Sequence, residues 1–327
     1  VVRNHARKAD ARRSTLSGGG SHRSAVKQQA PKPRVLTGLT ALDDLLGGGL
    51  RPGRVAVVAA RTAMGKSMLA LTVARNCAFR QGRPALVASL EMSNEGLFER
   101  MLAAETGVLT ERIRRRTLDP SDRGLIHAFA DAARKAQLSF GGDGTTPSVA
   151  EIERQCATVV GRDGHLDLLV VDYLGLMHGA LQQRASGDRR KEVAHVVADL
   201  QELATRLKAA VVIVEQLTRA PELRDDHRPR LSDLCHGEAL LSHAETIILL
   251  HRSAYYDPQH RAGRYDRSPD PELYPADLFP RYGLPEPAVQ RAELVVPYNR
   301  HGRTGTVEVG VELARARFFD LVPEPVG

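Results

Sequence analysis

The stretch RVAVVAARTAMGKS, residues 54–67, decides the architecture. Its first half, RVAVVAA (54–60), is apolar at every position after Arg54. That is the pattern of a short strand covered on both faces. Its second half ends in Gly-Lys-Ser, and SMLALTVARNCAFRQ (67–81) reads onward as a helix. A buried strand, a Gly-Lys-Ser turn and a helix in that order are the setting of a phosphate-binding loop. Such a loop usually opens with glycine, and here Ala60 stands in its place. The position needs a small side chain more than it needs glycine. Backbone N–H groups through Arg61, Thr62, Ala63, Met64, Gly65 and Met68 would face phosphate oxygens at the helix N-terminus. Gly65 lets the backbone approach closely, Lys66 brings charge to the β- and γ-phosphates, and Ser67 offers a hydroxyl to Mg²⁺.

Working outward, strands and helices alternate. PALVASLE (84–91), LDLLVVD (166–172), AAVVIVEQ (209–216), AETIILLHR (244–252) and RAELVVPYNR (291–300) read as strands. Helices are predicted over 94–105, 121–137 and 188–208. Before the first strand, Leu39, Leu42, Leu45 and Leu46 share a helical face, with Thr40 as its N-cap and GGG as its stop. The alternation predicts an α/β fold, a mostly parallel twisted sheet with helices on both faces. Residues 255–290, rich in Pro, Tyr, Asp and Arg without periodicity, read as a long surface insertion.

The 327 residues, 42% hydrophobic, suit one large domain or two small ones with ample core. No apolar run is long enough to span a bilayer, and no signal peptide is expected at the start, which lacks an initial Met. Three widely spaced cysteines offer neither a disulfide framework nor metal-ligand spacing, so a reducing cytoplasm is expected. The net charge of +7 is unevenly placed. Residues 1–34 carry nine Lys or Arg against one acid, a net +8, which leaves −1 for the rest. That basic, Ser- and Gly-rich tail reads either as a loose phosphate holder or as a solvated leader. A further short tail, 321–327, closes the chain.

Strand ends supply the remaining polar groups. Asp172 closes LDLLVVD, where an acid either holds Mg²⁺ or terminates a strand. Glu91 closes PALVASLE at the carboxyl edge of the sheet, where ligands bind. It is a candidate general base for the attacking water. Gln216, closing its own strand, either orients water or senses the γ-phosphate, or is simply a polar residue at a strand exit.

Together these motifs resemble the ATPase domain of replicative DNA helicases of the DnaB type. The resemblance rests on TGLTALDDLLGGGLRPG (37–53), ARTAMGKS (60–67), SLEMSNE (89–95) and VVDYLGLM (170–177), and it continues through EQLTRA (215–220), RPRLSDL (228–234), HRSAYYDP (251–258) and NRHGRTG (299–305). It covers about residues 35–320. It implies a RecA-like P-loop NTPase that binds ATP and Mg²⁺ and assembles as a hexameric ring around single-stranded DNA in concert with other replication proteins. It assigns Lys66 and Ser67 to phosphate and metal, Glu91 to the catalytic base, Asp172 to the second acidic motif and Gln216 to the sensor. Arg252 falls among the nucleotide-binding residues. Arg300 matches the arginine finger lent by a neighbouring subunit, whose charge stabilises the transferring phosphoryl group.

Three departures qualify the resemblance. Tyr298 stands where the family has Lys, which removes one trans cation. The loop after SDL, CHGEALLSHAE (235–245), lacks the family's Arg and brings in His236, Glu238 and His243, so grip on phosphates should weaken. The family's N-terminal domain is expected to be absent, with the basic tail in its place. The expected function is ATP-driven translocation on single-stranded DNA. The alternative is an ATP-switched binding module on the same fold that does not unwind.

Overall fold

A computed structural model of the chain describes residues 32–141, 148–177, 189–256 and 289–321. Most of the basic tail (1–31), most of the 255–290 insertion (257–288) and residues 322–327 lie outside the described residues.

The centre is a nine-stranded sheet in the order β3-β2-β4-β5-β1-β6-β7-β8-β9. The strands are β1 (Val55–Ala60), β2 (Ala85–Ser89), β3 (Leu138–Gly141), β4 (Leu168–Asp172), β5 (Ala210–Gln216), β6 (Ala244–His251), β7 (Gln290–Asn299), β8 (Gly305–Glu312) and β9 (Arg317–Phe319). From β3 to β6 every pairing is parallel; β7, β8 and β9 add on antiparallel.

The continuous apolar runs have a simple cause. Alternate residues of each parallel strand enter two separate cores, one per face. Ala56, Val58, Val87, Val170, Val212 and Ile248 pack on one face with Leu69, Val73 and Leu97. Those helical residues come from α2 (Lys66–Arg75) and α3 (Asn94–Thr106). Val57, Leu86, Leu169, Val211 and Ile247 pack on the other face with Ile152, Val196 and Leu200. Here the cover is α6 (Val149–Asp163) and α7 (Arg189–Leu207). Each such Val, Leu or Ile contributes about 1.5–3 kcal/mol by leaving water, and an Ile213→Ala cavity in β5 would cost about 2–5 kcal/mol.

Local chemistry starts and stops the helices. Ser93 accepts from the Gly96 N–H at the head of α3, and Ser148 accepts from Glu151 at the head of α6. Between them lie α4 (Thr110–Arg114) and α5 (Pro120–Lys135), the latter opened by a capping box of Asp119 and Asp122. The N-cap expected at Thr40 is not found. Leu39 holds that place in α1 (Thr40–Leu45), and Thr40 is the first helical residue. Its N–H and hydroxyl donate to the Asp320 carboxylate, which caps the helix from 280 residues away. Leu39, Leu42 and Leu46 do form the expected buried face. Among the described residues, no helix is long and apolar enough to cross a membrane.

Candidate nucleotide site and the opposite edge

The register aligns the ends of four parallel strands. Ala60 pairs with Gln216 across β1 and β5, and Ser89 pairs with Asp172 across β2 and β4. The loop after β1, Gln216, Asp172 and Glu91 therefore share the carboxyl edge of the sheet. A cavity of about 330 Å³ opens there, lined by Ala63, Gly65, Lys66, Ser67 and Met68 together with Glu91 and Arg100. Thr110 of α4, Leu313 and Ala316 line it too.

Ala60 is fully buried, which leaves no room for more than a small side chain. Gly65 sits at φ +104°, open to glycine, and a Cβ there would stand 3.3 Å from the Phe318 ring. It is the N-cap of α2 and, lacking a side chain, leaves the helix's first turn without a side-chain cap. Those N–H groups are available to an anion. Met64 and Met68 turn their side chains into the core, so they can offer a ligand only backbone. Arg61 also points away, donating to Glu222 and to the Leu217 carbonyl. Thr62 stays at the surface, and its hydroxyl accepts from Gln216 Nε2 at 3.3 Å.

Lys66 is only 6% exposed. Its ammonium lies 3.2 Å from Glu91 Oε2 and 5.5 Å from the centre of the Tyr173 ring. Asp172 is 2% exposed; burial raises its carboxyl above the usual aspartate range, while the Ser67 hydroxyl and the Lys66 charge pull the other way. Its Oδ1 has no hydrogen-bond partner among the described residues. The structure thus brings together Lys66, Ser67, Glu91 and Asp172, with Gln216 at the loop's flank.

Arg252 lies elsewhere. It is 1% exposed and donates to the carbonyls of Ala63 and Met64, each at 3.3 Å, and to Gln290. It braces the loop through those carbonyls and is not among the residues that line the cavity. The reason is topological. The chain leaves β6 toward an antiparallel neighbour, and the residue after His251 turns under the loop.

Arg300 occupies the opposite edge. It is exposed and follows β7, whose Asn299 pairs with Thr246, which in turn pairs with Ala56. Four residue steps lead from Ala56 to Ala60, about 13 Å along the strand, with the loop beyond. Arg300 therefore cannot reach the cavity of its own chain. Its Nε donates to the Tyr298 hydroxyl at 3.2 Å, and its Nη2 to the Ser242 carbonyl at 3.0 Å.

The 235–245 segment, read as a loop, contains a short helix, α8 (Gly237–His243), before β6 begins. The left-handed His236, at φ +56°, turns the chain into it. A cavity of about 480 Å³ beside it is lined by Arg190, Lys191, His236, Glu238 and His243. His236 Nδ1 lies 3.7 Å from the fully buried Glu215, the residue before Gln216.

Sequence reasoning missed Arg100, Thr110, Leu313 and Ala316. A signal existed for the first of these. Leu97, Arg100, Met101 and Ala104 recur at helical spacing, so an arginine interrupts the buried stripe of α3.

Known proteins agree with this geometry. Replicative DNA helicase DnaB of Leifsonia xyli is 34% identical over 289 residues, 88% of this chain and 56% of that protein. The protein of that name from Geobacillus stearothermophilus is 33% identical over 223 residues, 68% of this chain and 48% of that protein. The chain thus spans about half the length of these relatives. Among solved structures, an isolated ATPase domain superposes with a TM-score of 0.73 at 24% identity, covering 89% of this chain and 93% of that one. A DnaB-like replicative helicase studied for its interactions with primase gives the same score and identity, covering 90% of this chain and 63% of that one. These two superpositions establish the RecA-like ATPase fold. A family model, DnaB-like helicase C terminal domain, matches residues 34–320, and on that match the chain belongs to the DnaB-like helicase C-terminal domain family.

Proposed function

We propose that this chain is an ATP-hydrolysing motor domain that assembles head to tail into a ring, a hexamer by family resemblance, and moves along single-stranded DNA in the cytoplasm. One observation supports the reading above all. Lys66, Ser67, Glu91 and Asp172 stand at one edge of the sheet and an exposed arginine at the other. Head-to-tail packing would bring Arg300 of one protomer to the cavity of the next, since a heterologous interface joins unlike edges.

Lys66 would hold the β- and γ-phosphates, with the N–H groups of the α2 first turn around them. The donor set fits Mg²⁺, a hard ion that takes one or two protein oxygens plus phosphate and water. Asp172 carries an orphaned buried oxygen and shares a hydrogen bond with Ser67; these two would hold the ion. When bound it would offset charge on the phosphates. Glu91 would take the proton of the attacking water, once Lys66 leaves it for the nucleotide. Gln216, tied to Thr62, would report the γ-phosphate to the segment after β5. Arg190 and Lys191, beside α8, are the cations that would face a strand in the channel. The interaction with primase that marks a structural neighbour makes a replication partner a reasonable extension to this chain.

A second reading, an ATP-switched DNA-binding module that does not separate strands, rests on Tyr298. It takes a cation's place and engages Arg300 through its hydroxyl. ATP turnover measured with and without single-stranded DNA, beside an assay on a forked duplex, separates the two. DNA-stimulated turnover with unwinding supports the motor; DNA-insensitive turnover without unwinding supports the switch. Absence of turnover in the wild type, or turnover that survives Lys66→Ala, would defeat both.

A further inference from the structure

We infer that Tyr298 is a positioning residue. With the last carbonyls of α8 it forms a dock that holds Arg300 on its own protomer, and the cavity between α7 and α8 governs the release of Arg300 to a neighbour. The inference rests on the reading of Arg300 above and adds a control to it.

The hold begins in the backbone, where the end of β7 is fastened to the start of β6. The Arg300 N–H donates to the Glu245 carbonyl at 2.7 Å, and the Thr246 hydroxyl donates to the Tyr298 carbonyl at 3.1 Å. The side chains then meet. Arg300 Nε donates to the Tyr298 hydroxyl at 3.2 Å, and Nη2 donates to the carbonyls of Ser242 at 3.0 Å and Leu241 at 3.4 Å. Both carbonyls belong to the last turn of α8, where a helix leaves its C=O groups without intrahelical partners. A cation there also meets the negative end of the helix dipole. All three acceptors are neutral, and among the described residues no carboxylate pairs with Arg300. A carboxylate would lock the guanidinium in place, whereas neutral acceptors yield it to the stronger charge of a phosphoryl group. Tyr298 is what makes the dock. Its ring packs against the core beneath β7, which aims the hydroxyl, and a lysine in its place would offer no acceptor at all.

Ser242 faces both ways. Its carbonyl accepts from Arg300, and it lines the cavity of about 480 Å³ with Glu238 and His243 of α8 and with Arg190 and Lys191 of α7. A single-stranded polyanion is the occupant that fits the two α7 cations. Glu238 would repel it from the α8 side, so its entry would strain α8 against α7. The helix is only seven residues long and runs directly into β6, so it moves as one piece. A shift of about 0.5–1 Å carries its last carbonyls out of hydrogen-bond range of Arg300. Strand entry at one face of α8 thereby frees the arginine held at its end.

The test measures ATP turnover of wild type, Tyr298→Phe and Arg300→Ala, equally assembled, without DNA and with saturating oligothymidine. Phenylalanine keeps the packed ring and removes only the hydroxyl, so melting should stay within about 2 °C of wild type. Tyr298→Phe should raise DNA-free kcat about three- to tenfold, the worth of one hydrogen bond. With DNA bound its kcat should stay within about twofold of wild type, because the dock is already open, so stimulation by DNA shrinks by the factor gained without it. A DNA-free kcat that is unchanged or lower, or a rise of the same size with and without DNA, would overturn the dock. Wild-type turnover that oligothymidine does not stimulate would overturn its link to α8. Arg300→Ala with wild-type turnover would instead defeat the reading of Arg300 itself, a result distinct from these because it is read on the arginine alone.

Discussion

If Arg300 completes a neighbour's cavity, two inactive variants should repair each other. Lys66→Ala removes the phosphate cation at the carboxyl edge and leaves Arg300 in place. Arg300→Ala does the reverse. Within one chain the two residues are divided by the length of β1, about 13 Å along the strand from the level of Asn299 to Ala60, so neither defect can be relieved internally. In a mixed closed assembly, an interface is competent when an Arg300→Ala protomer supplies the cavity and a Lys66→Ala protomer supplies the arginine. Random mixing at equal amounts makes about one quarter of interfaces competent. The competent fraction follows the product of the two mole fractions, so activity should rise from near zero, peak at equal mixing and fall again. An arginine finger contributes about 10³–10⁵ to turnover, so each pure variant should give a negligible baseline. Steady-state ATP hydrolysis across the mixing series, with the two variants co-assembled from separated protomers, reads the curve directly. A flat line at the baseline in every mixture, with assemblies shown to be mixed, would refute the trans assignment. An Arg300→Ala variant retaining wild-type turnover would refute it sooner.

Two further outcomes follow from burial. Asp172→Asn should melt higher than wild type at neutral pH without Mg²⁺ or nucleotide. It removes a buried charge with an unpartnered oxygen, a relief of about 1–2 kcal/mol or roughly 2–8 °C. The sign with pH is fixed: because folding raises this carboxyl above its ordinary 3.8, its protonated form stabilises the fold and that contribution is lost as pH rises through the folded value. The gap between variant and wild type should therefore close as pH falls toward 3.8, and a gap that is absent at pH 7 or indifferent to pH would contradict the assignment. Arg252→Met should cost about 2–4 kcal/mol by stripping donors from the Ala63 and Met64 carbonyls and should weaken ADP and ATPγS by the same factor. Scanning fluorimetry and a nucleotide titration check it, and unchanged melting with loss of ATPγS alone would return Arg252 to the cavity.

The parallel strands were legible because burial on two faces writes an unbroken apolar run, as in LDLLVVD and AAVVIVEQ. The outer strands were not. β8 is exposed over Gly305–Thr306 and buried only toward Glu312, and β9 has three residues, too little for a period to show. β3 is short and half-exposed. The carboxyl-edge residues could be placed from sequence because a strand end fixes an edge. A strand end does not fix the side on which the following residue turns, which is why the sequence could not show that Arg252 bonds the loop's carbonyls. Arg100 needed the structure for a different reason. Helical spacing flags it as an arginine on an apolar stripe, but only the packing shows that it is half-buried and faces the cavity, while Arg75 of the neighbouring helix is buried and held by Glu105.

The antiparallel joining of β7 to β6 also has a mechanical meaning. Hydrogen-bonded pairings run from the loop after β1 across β1 and β6 to the hairpin that bears Arg300. In a head-to-tail ring each sheet would then act as a stiff beam, its one end resting on its own nucleotide and its other on the neighbour's. Tilting the beam to close one crevice would pull or push the arginine at the next, so successive sites would be geared together through the body of each protomer without any separate relay.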